Sequence, residues 1–178
     1  MYFLGIDHSL NKTAIVCIDK NGKYVGKIVY KNKKHKGMQR LLMLLKFFIA
    51  LREKYRNEIS YIGMENYSFG SRGRAIFNIG EAGGLVRLVL NGWVKKKYFL
   101  FAPKSVKKFA SGSGNANKKA MIKAVKKKWK FNAKKDHDVA DAFAVAQLTR
   151  CYVDFHKGKF FKKEDKELLK KIKGNING

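Results

Sequence analysis

The chain holds thirteen Asp and Glu among 178 residues, against forty Lys and Arg, so the few acids are informative by position. Asp7 closes an apolar run at residues 2–7, and Glu65 follows a second at 59–64. Asp138 and Asp141 stand three apart at the start of a helical stretch, which sets them on one face with Cβ atoms about 5–6 Å apart. If the first and fourth strands are neighbours, all four carboxylates converge at one end of a sheet. Such a cluster repels itself unless cations occupy it. Hard oxygen ligands suit Mg2+ or Mn2+. Two such ions, ~3.5–4 Å apart, activate water and stabilise the leaving oxygen in phosphodiester hydrolysis. Taken singly, the acids have plainer roles, Asp7 as a strand-end turn residue and Asp138 as a complement to the helix dipole. Asp141 is harder to explain that way, because the apolar run 142–145 follows it. His8 and His137 adjoin the acids; His137 is a candidate for proton transfer or phosphate contact, with a structural role as the alternative.

The formal net charge is +27. A globular domain bears self-repulsion at such an excess, so a polyanion is the natural partner, and nucleic acid is favoured. A solubility surface is the alternative. The lysines are spread along the whole chain and not gathered on one amphipathic helix, which speaks against a membrane surface. The longest apolar run, 41–51, is interrupted by Lys46 and is too short to span a bilayer. The opening residues carry no basic stretch or cleavage site of a signal peptide. Cys17 and Cys151 are too few for a disulfide framework. A cytoplasmic, non-secreted protein of a bacterial or infected host cell is expected.

These residues need elements to position them. The pattern predicts strands at 2–7, 12–19 and 24–30, the last two joined by the tight turn Asp19-Lys20-Asn21-Gly22. A long helix follows at 38–55, then a strand at 59–64. Residues 67–74 read as an exposed loop. The stretch 77–94 reads as a helix despite Gly80, Gly83 and Gly84, which would let another backbone approach closely. A fifth strand at 98–102 precedes basic helices at 105–110 and 118–130, and Asp136 caps a last helix running to about residue 150. From residue 157 the lysine-rich tail reads as one or two amphipathic turns. The class is α/β, a mixed sheet with helices on its faces.

Five segments, in order, resemble the RuvC family of Holliday-junction resolvases: Gly5-Ile6-Asp7-His8-Ser9-Leu10; Met64-Glu65-Asn66-Tyr67; Ile79-Gly80-Glu81-Ala82-Gly83-Gly84; Val106-Lys107-Lys108 with Gly112-Ser113-Gly114-Asn115-Ala116-Asn117-Lys118; and His137-Asp138-Val139-Ala140-Asp141-Ala142. The resemblance implies an RNase H-like fold, with a five-stranded mixed sheet and helices on both faces over residues 1–155; a basic tail at 156–178 lies outside it. It implies a homodimeric, magnesium-dependent endodeoxyribonuclease of recombination and repair, making paired nicks in four-way junctions. Asp7, Glu65, Asp138 and Asp141 would hold two Mg2+ (or Mn2+) ions, with Lys107 and Lys118 beside the scissile phosphate. Lys104, Lys108, Ser113, Asn115 and Lys119 would contact DNA. Tyr67, Phe69, Arg72 and Arg74, in the loop after Glu65, are further DNA contacts, an aromatic there being able to stack on an unpaired base. The stretch 112–117 brings backbone N–H groups to phosphate, or serves only as a linker. His8 stands where the family usually has proline.

Three other readings compete. A broader structure-selective nuclease would act on forks, flaps and replication intermediates with the same site. A non-catalytic branched-DNA-binding protein would share the charge, but gains nothing by clustering acids at a DNA surface. An ATPase or sugar-kinase relative is echoed by Asp7, Ser9 and Thr13, yet no second phosphate loop follows.

Overall fold

A computed structural model describes residues 1–9, 11–67, 75–93, 98–159, 161, 163–172 and 175–177. Its centre is a mixed sheet in the order β3-β2-β1-β4-β5-β6. Strands β1 (Tyr2–His8), β2 (Lys12–Asp19) and β3 (Tyr24–Lys31) form an antiparallel meander. The turn between β2 and β3 is closed by Asp19, whose Oδ1 accepts from the Asn21 and Lys23 N–H groups, with Gly22 at φ +83°. Strand β4 (Ile59–Glu65) then lies parallel to β1, and β5 (Tyr98–Phe101) parallel to β4. The first and fourth strands are therefore neighbours, as the convergence of the acids requires.

Alternation along the strands sends side chains to two cores. Phe3, Val16, Ile18 and Phe101 face a layer made of α3 (Pro103–Ser111), α4 (Lys118–Trp129) and α5 (His137–His156). Leu4, Ile6, Ile62 and Met64 face α1 (Gly37–Tyr55) and α2 (Ala75–Asn91), which supply Leu44, Phe48, Val86 and Leu90. Helix α5 is buried nearly all round, and Ala140, Ala142, Ala144 and Ala146 keep it thin enough to lie directly on β1, β2 and β4.

The elements match the sequence reading in order and type, and differ at ends. Helix α5 continues to His156, six residues past the expected stop, because Cys151, Tyr152 and Val153 go on burying apolar surface. The tail forms α6 (Lys163–Lys171), whose Leu169 joins the first core together with Ile172, and then a short strand β6 (Asn175–Asn177) antiparallel to β5. The five expected strands thus gain a sixth. Among the described residues, no helix is long and apolar enough to cross a membrane, and both cysteines are free.

Candidate active site

Each acid is placed by backbone geometry. Asp7 and Glu65 leave adjacent parallel strands at the same end, one position beyond the paired Ile6 and Met64. Two residues before each lies a glycine on the same face, Gly5 in β1 and Gly63 in β4. A Cβ on Gly5 would strike the backbone of Ala142 and Ala146; one on Gly63 would strike the Thr149 hydroxyl. Both glycines therefore let α5 press onto the sheet. That contact brings Asp138, one turn before Ala142, and Asp141, the residue just before it, beside Asp7. Asp136 caps the helix, its Oδ1 accepting from the Val139 N–H at 3.4 Å, and Gln147 anchors it further along by donating to the Gly22 carbonyl at 2.6 Å.

The acids feel one another strongly. Burial raises the Asp7 carboxyl well above its ordinary value, and the charges of Glu65, Asp141 and Asp138 raise it further. Glu65 is pushed up to about 7, by burial first and then by Asp141. Asp141 is pushed up to about 6, by burial and by Asp138, against the lowering pull of Lys107 and Lys118. A rise from 4.5 to about 7 at Glu65 corresponds to roughly 3 kcal/mol set against its charged form. Asp141 Oδ1 is buried without a hydrogen-bond partner. A buried, unpartnered carboxylate oxygen among repelling acids fits a divalent cation and little else.

Asp138 is held differently. Its Oδ2 lies 2.6 Å from Lys12 Nζ, and its Oδ1 lies 2.6 Å from His137 Nδ1. Lys12 also reaches Asp136 Oδ1 at 2.7 Å. Among the described residues, no three acidic, imidazole or thiol groups already stand as a closed ligand cage. Three of the acids are half-buried with raised pKa values, and the fourth pairs with Lys12 and with the His137 ring. Lys12 was not singled out from the sequence; as the first residue of a β-branched strand it reads as an ordinary edge lysine. Its place opposite the α5 cap depends on a contact 124 residues away.

The flanking groups come from the helices that follow β5. Lys107 lies half-buried on α3, and Lys118 begins α4, its Nζ 3.1 Å from His137 Nε2. Between these helices, Ser111 Oγ donates to the Lys107 carbonyl at 2.8 Å and the Asn115 N–H donates to Ser113 Oγ at 3.3 Å. Gly112 takes φ +82°, and Asn117 caps α4 by accepting from the Ala120 N–H at 2.9 Å. This connector is built by its own hydrogen bonds, and it leaves Lys104, Lys108, Ser113, Asn115 and Lys119 exposed.

On the α2 side, Tyr67 donates to the Gly80 carbonyl at 3.1 Å and fills the space beside Gly83, with the Arg87 guanidinium over its ring at 4.2 Å. Asn66 Oδ1 accepts from Arg87 and from the Tyr67 N–H, both at 2.8 Å. Tyr67 is thus an anchor for the chain leaving Glu65, and Gly83 is the glycine that a neighbour approaches closely. Phe69, Arg72 and Arg74 lie outside the described residues. His8 is half-buried; its Nδ1 pairs with Thr13 Oγ1 at 2.8 Å, and burial of the ring lowers its pKa to about 4, leaving it neutral.

The crossover junction endodeoxyribonuclease family RuvC matches residues 3–149. The RuvC crossover junction endodeoxyribonuclease of Ehrlichia canis is 32% identical over 149 residues, covering 82% of this chain and 94% of that protein. The corresponding protein of Brachyspira hyodysenteriae is 33% identical over 156 residues, covering 82% and 91%. The structure of Thermus thermophilus RuvC in complex with a Holliday junction substrate superposes with a TM-score of 0.69 at 19% identity, covering 89% of this chain and 96% of that one.

Proposed function

This chain belongs to the RuvC family of crossover junction endodeoxyribonucleases, and from that premise we propose that it resolves four-way DNA junctions by paired, metal-assisted hydrolysis of phosphodiester bonds. The observation that carries the reading is the cluster of Asp7, Glu65 and Asp141, gathered half-buried with their pKa values raised, at the sheet end that Lys107 and Lys118 also face. A merely structural carboxylate is normally neutralised by a partner or turned to solvent.

Asp7, Glu65, Asp141 and Asp138 would hold two Mg2+ or Mn2+ ions. Ions so held supply Lewis acidity to the phosphate and lower the pKa of an attacking water. Lys107 and Lys118 offset the phosphate's negative charge from the opposite side. With Nδ1–H donating to Asp138, His137 presents Nε2 toward Lys118, where it accepts a proton or orients the lysine. Lys104, Lys108, Ser113, Asn115 and Lys119 contact the DNA backbone beside the cut.

A homodimer would place two such sites on the two sides of a symmetric junction. The outer face of α2 suits that role. Phe77 and Leu88, each 73% exposed, lie eleven residues apart and so on one face. Between them Glu81 and Gly84 are exposed, and added Cβ atoms at Gly80 and Gly84 would meet nothing within 4 Å. A flat strip of this kind, apolar at Phe77 and Leu88, would pack closely on a second copy of itself.

Substrate choice separates this reading from a general branched-DNA nuclease. End-labelled four-way, three-way, flap and linear DNAs are incubated with protein and Mg2+; strong preference for the four-way form supports resolution, and equal cutting of all branched forms replaces it with debranching.

A further inference from the structure

The segment joining β3 to α1 carries Lys31, Lys33, Lys34 and Lys36, all exposed, and none belongs to the site described above. Its shape is fixed from within. Asn32 is 5% exposed, a buried polar residue in the middle of a lysine run. Its N–H donates to the Asn11 carbonyl at 3.0 Å and its Nδ2 donates to Tyr30 Oη at 3.0 Å. Its Oδ1 faces His35 twice, accepting from the backbone N–H at 3.2 Å and pairing with ring Nδ1 at 2.9 Å. The Tyr30 ring stacks on Phe47 of α1 with centroids 4.5 Å apart. The backbone therefore turns around Asn32 and holds Lys31, Lys33 and Lys34 around a surface cleft of about 400 Å3.

The turn stands at the same end of the sheet as the acids, because Lys31 pairs with Lys12 and Thr13 pairs with His8 across the meander. It lies two strands from β1 on one side, while α3 and α4 leave the sheet two strands from β1 on the other. Four strand spacings make roughly 19 Å. A duplex laid along that length carries about eleven phosphate charges, one per ~1.7 Å of axis. A lysine cluster ordered by a buried hydrogen-bond hub is a preformed grip, unlike the scattered lysines of the general surface.

We infer that the Asn32-centred turn is a second DNA-backbone site, gripping the phosphates of a duplex arm on the side of the acid cluster away from α3 and α4. The inference rests on the reading of DNA as the ligand, and adds the path that the DNA takes: across the sheet end, from the α3–α4 connector to the β3–α1 turn.

The test uses the full chain and a synthetic four-way junction, with binding measured in EDTA across a salt series. The triple substitution Lys31→Gln, Lys33→Gln, Lys34→Gln is expected to lower the slope of log affinity against log salt by about 2 to 3, at ~0.9 per lost phosphate contact. The matched triple Lys163→Gln, Lys166→Gln, Lys171→Gln on α6 removes the same charge elsewhere and is expected to leave the slope within about half a contact. Asn32→Ala removes no charge, yet is expected to weaken junction binding at least threefold while the protein still melts cooperatively. If both triples lower the slope alike, or if Asn32→Ala binds as tightly as wild type, the turn is ordinary basic surface and the inference is overturned, while junction cleavage stands. If wild-type protein itself shows no junction binding, the family-based reading fails first and the turn falls with it.

Discussion

Lys12 Nζ lies 2.6 Å from Asp138 Oδ2 and 2.7 Å from Asp136 Oδ1, so one lysine at the start of β2 bridges the cap of α5 to the acid that follows it. In the proposed metal site that ammonium would compete with a divalent ion for Asp138. It also ties the meander to the helix that carries half of the acid set. The three side chains are 21–28% exposed, so the pairs are partly solvated and contribute modestly to stability, on the order of 1 kcal/mol.

Removing Lys12 should therefore change metal use more than folding. Lys12→Met is expected to lower the Mg2+ concentration that half-saturates cleavage severalfold, and to lower Tm by only a few degrees. Metal-titrated single-turnover cleavage and a melting curve measure both. A rise in the half-saturating concentration would show that Lys12 positions Asp138 for the ion and does not compete with it.

The raised carboxyl pKa values set a pH dependence with a definite sign. Asp141 binds its proton more tightly folded, at about 6, than at the ordinary 3.8, and Glu65 at about 7 against 4.5. The folded state holds more protons over that window, so the stability from these groups is full below pH ~4 and is lost as pH rises through 6 to 7. In EDTA, Asp141→Asn should match wild type at pH 4 and melt several degrees higher at pH 7.5. Mg2+ should raise the wild-type Tm at pH 7.5 and do less for the variant. Melting curves at the two pH values test this, and a variant less stable than wild type at pH 7.5 would remove the repulsion argument.

The two glycines that seat α5 make a structural prediction. Gly5→Ala drives a methyl group into the backbone of Ala142 and Ala146, and neither can move aside as a flexible side chain can. A loss of about 3 kcal/mol is expected, at the upper end of overpacking costs. Cleavage should fall further than stability explains, because α5 carries Asp138 and Asp141. Gly26→Ala, whose added Cβ meets nothing within 4 Å, is the control, and chemical denaturation compares the two. Equal stabilities would mean that α5 is free to shift without consequence.

The exposed strip on α2 bears on assembly. Leu88→Glu replaces one of the two large apolar side chains of the proposed two-fold contact with a charge and should convert a dimer into a 20.4 kDa monomer that keeps its fold. Light scattering with circular dichroism reads both. A wild type that is already monomeric at micromolar concentration would contradict the dimer, and an unchanged dimeric mass in the variant would move the interface elsewhere.

Much of this was legible in the sequence, for physical reasons that differ by residue. The strands carrying Asp7 and Glu65 announce themselves by apolar runs, and the Asp138–Asp141 spacing fixes a shared helix face. The placement of Lys12 and Asn32 was not legible, because a lysine or asparagine among forty basic residues gains meaning only from distant contacts. The seating role of Gly5 and Gly63 had a signal that was available: each stands two residues before an acid, on the same face of its strand. Helix α5 outran its expected end because its later turns are buried by α6 and the sheet, and that packing is a tertiary effect. The sixth strand, three residues at the end of a lysine-rich tail, has no periodic pattern to find.

The most direct measurement is cleavage of a symmetric, end-labelled four-way junction by wild-type protein and Asp7→Asn, with Mg2+ or with EDTA. The expected result is a pair of nicks at symmetric positions on two opposing strands, requiring the divalent ion, and absent in Asp7→Asn although the variant still binds the junction. Tight binding by wild type with no nick in either Mg2+ or Mn2+ would contradict the account, and would leave the clustered acids without a catalytic role.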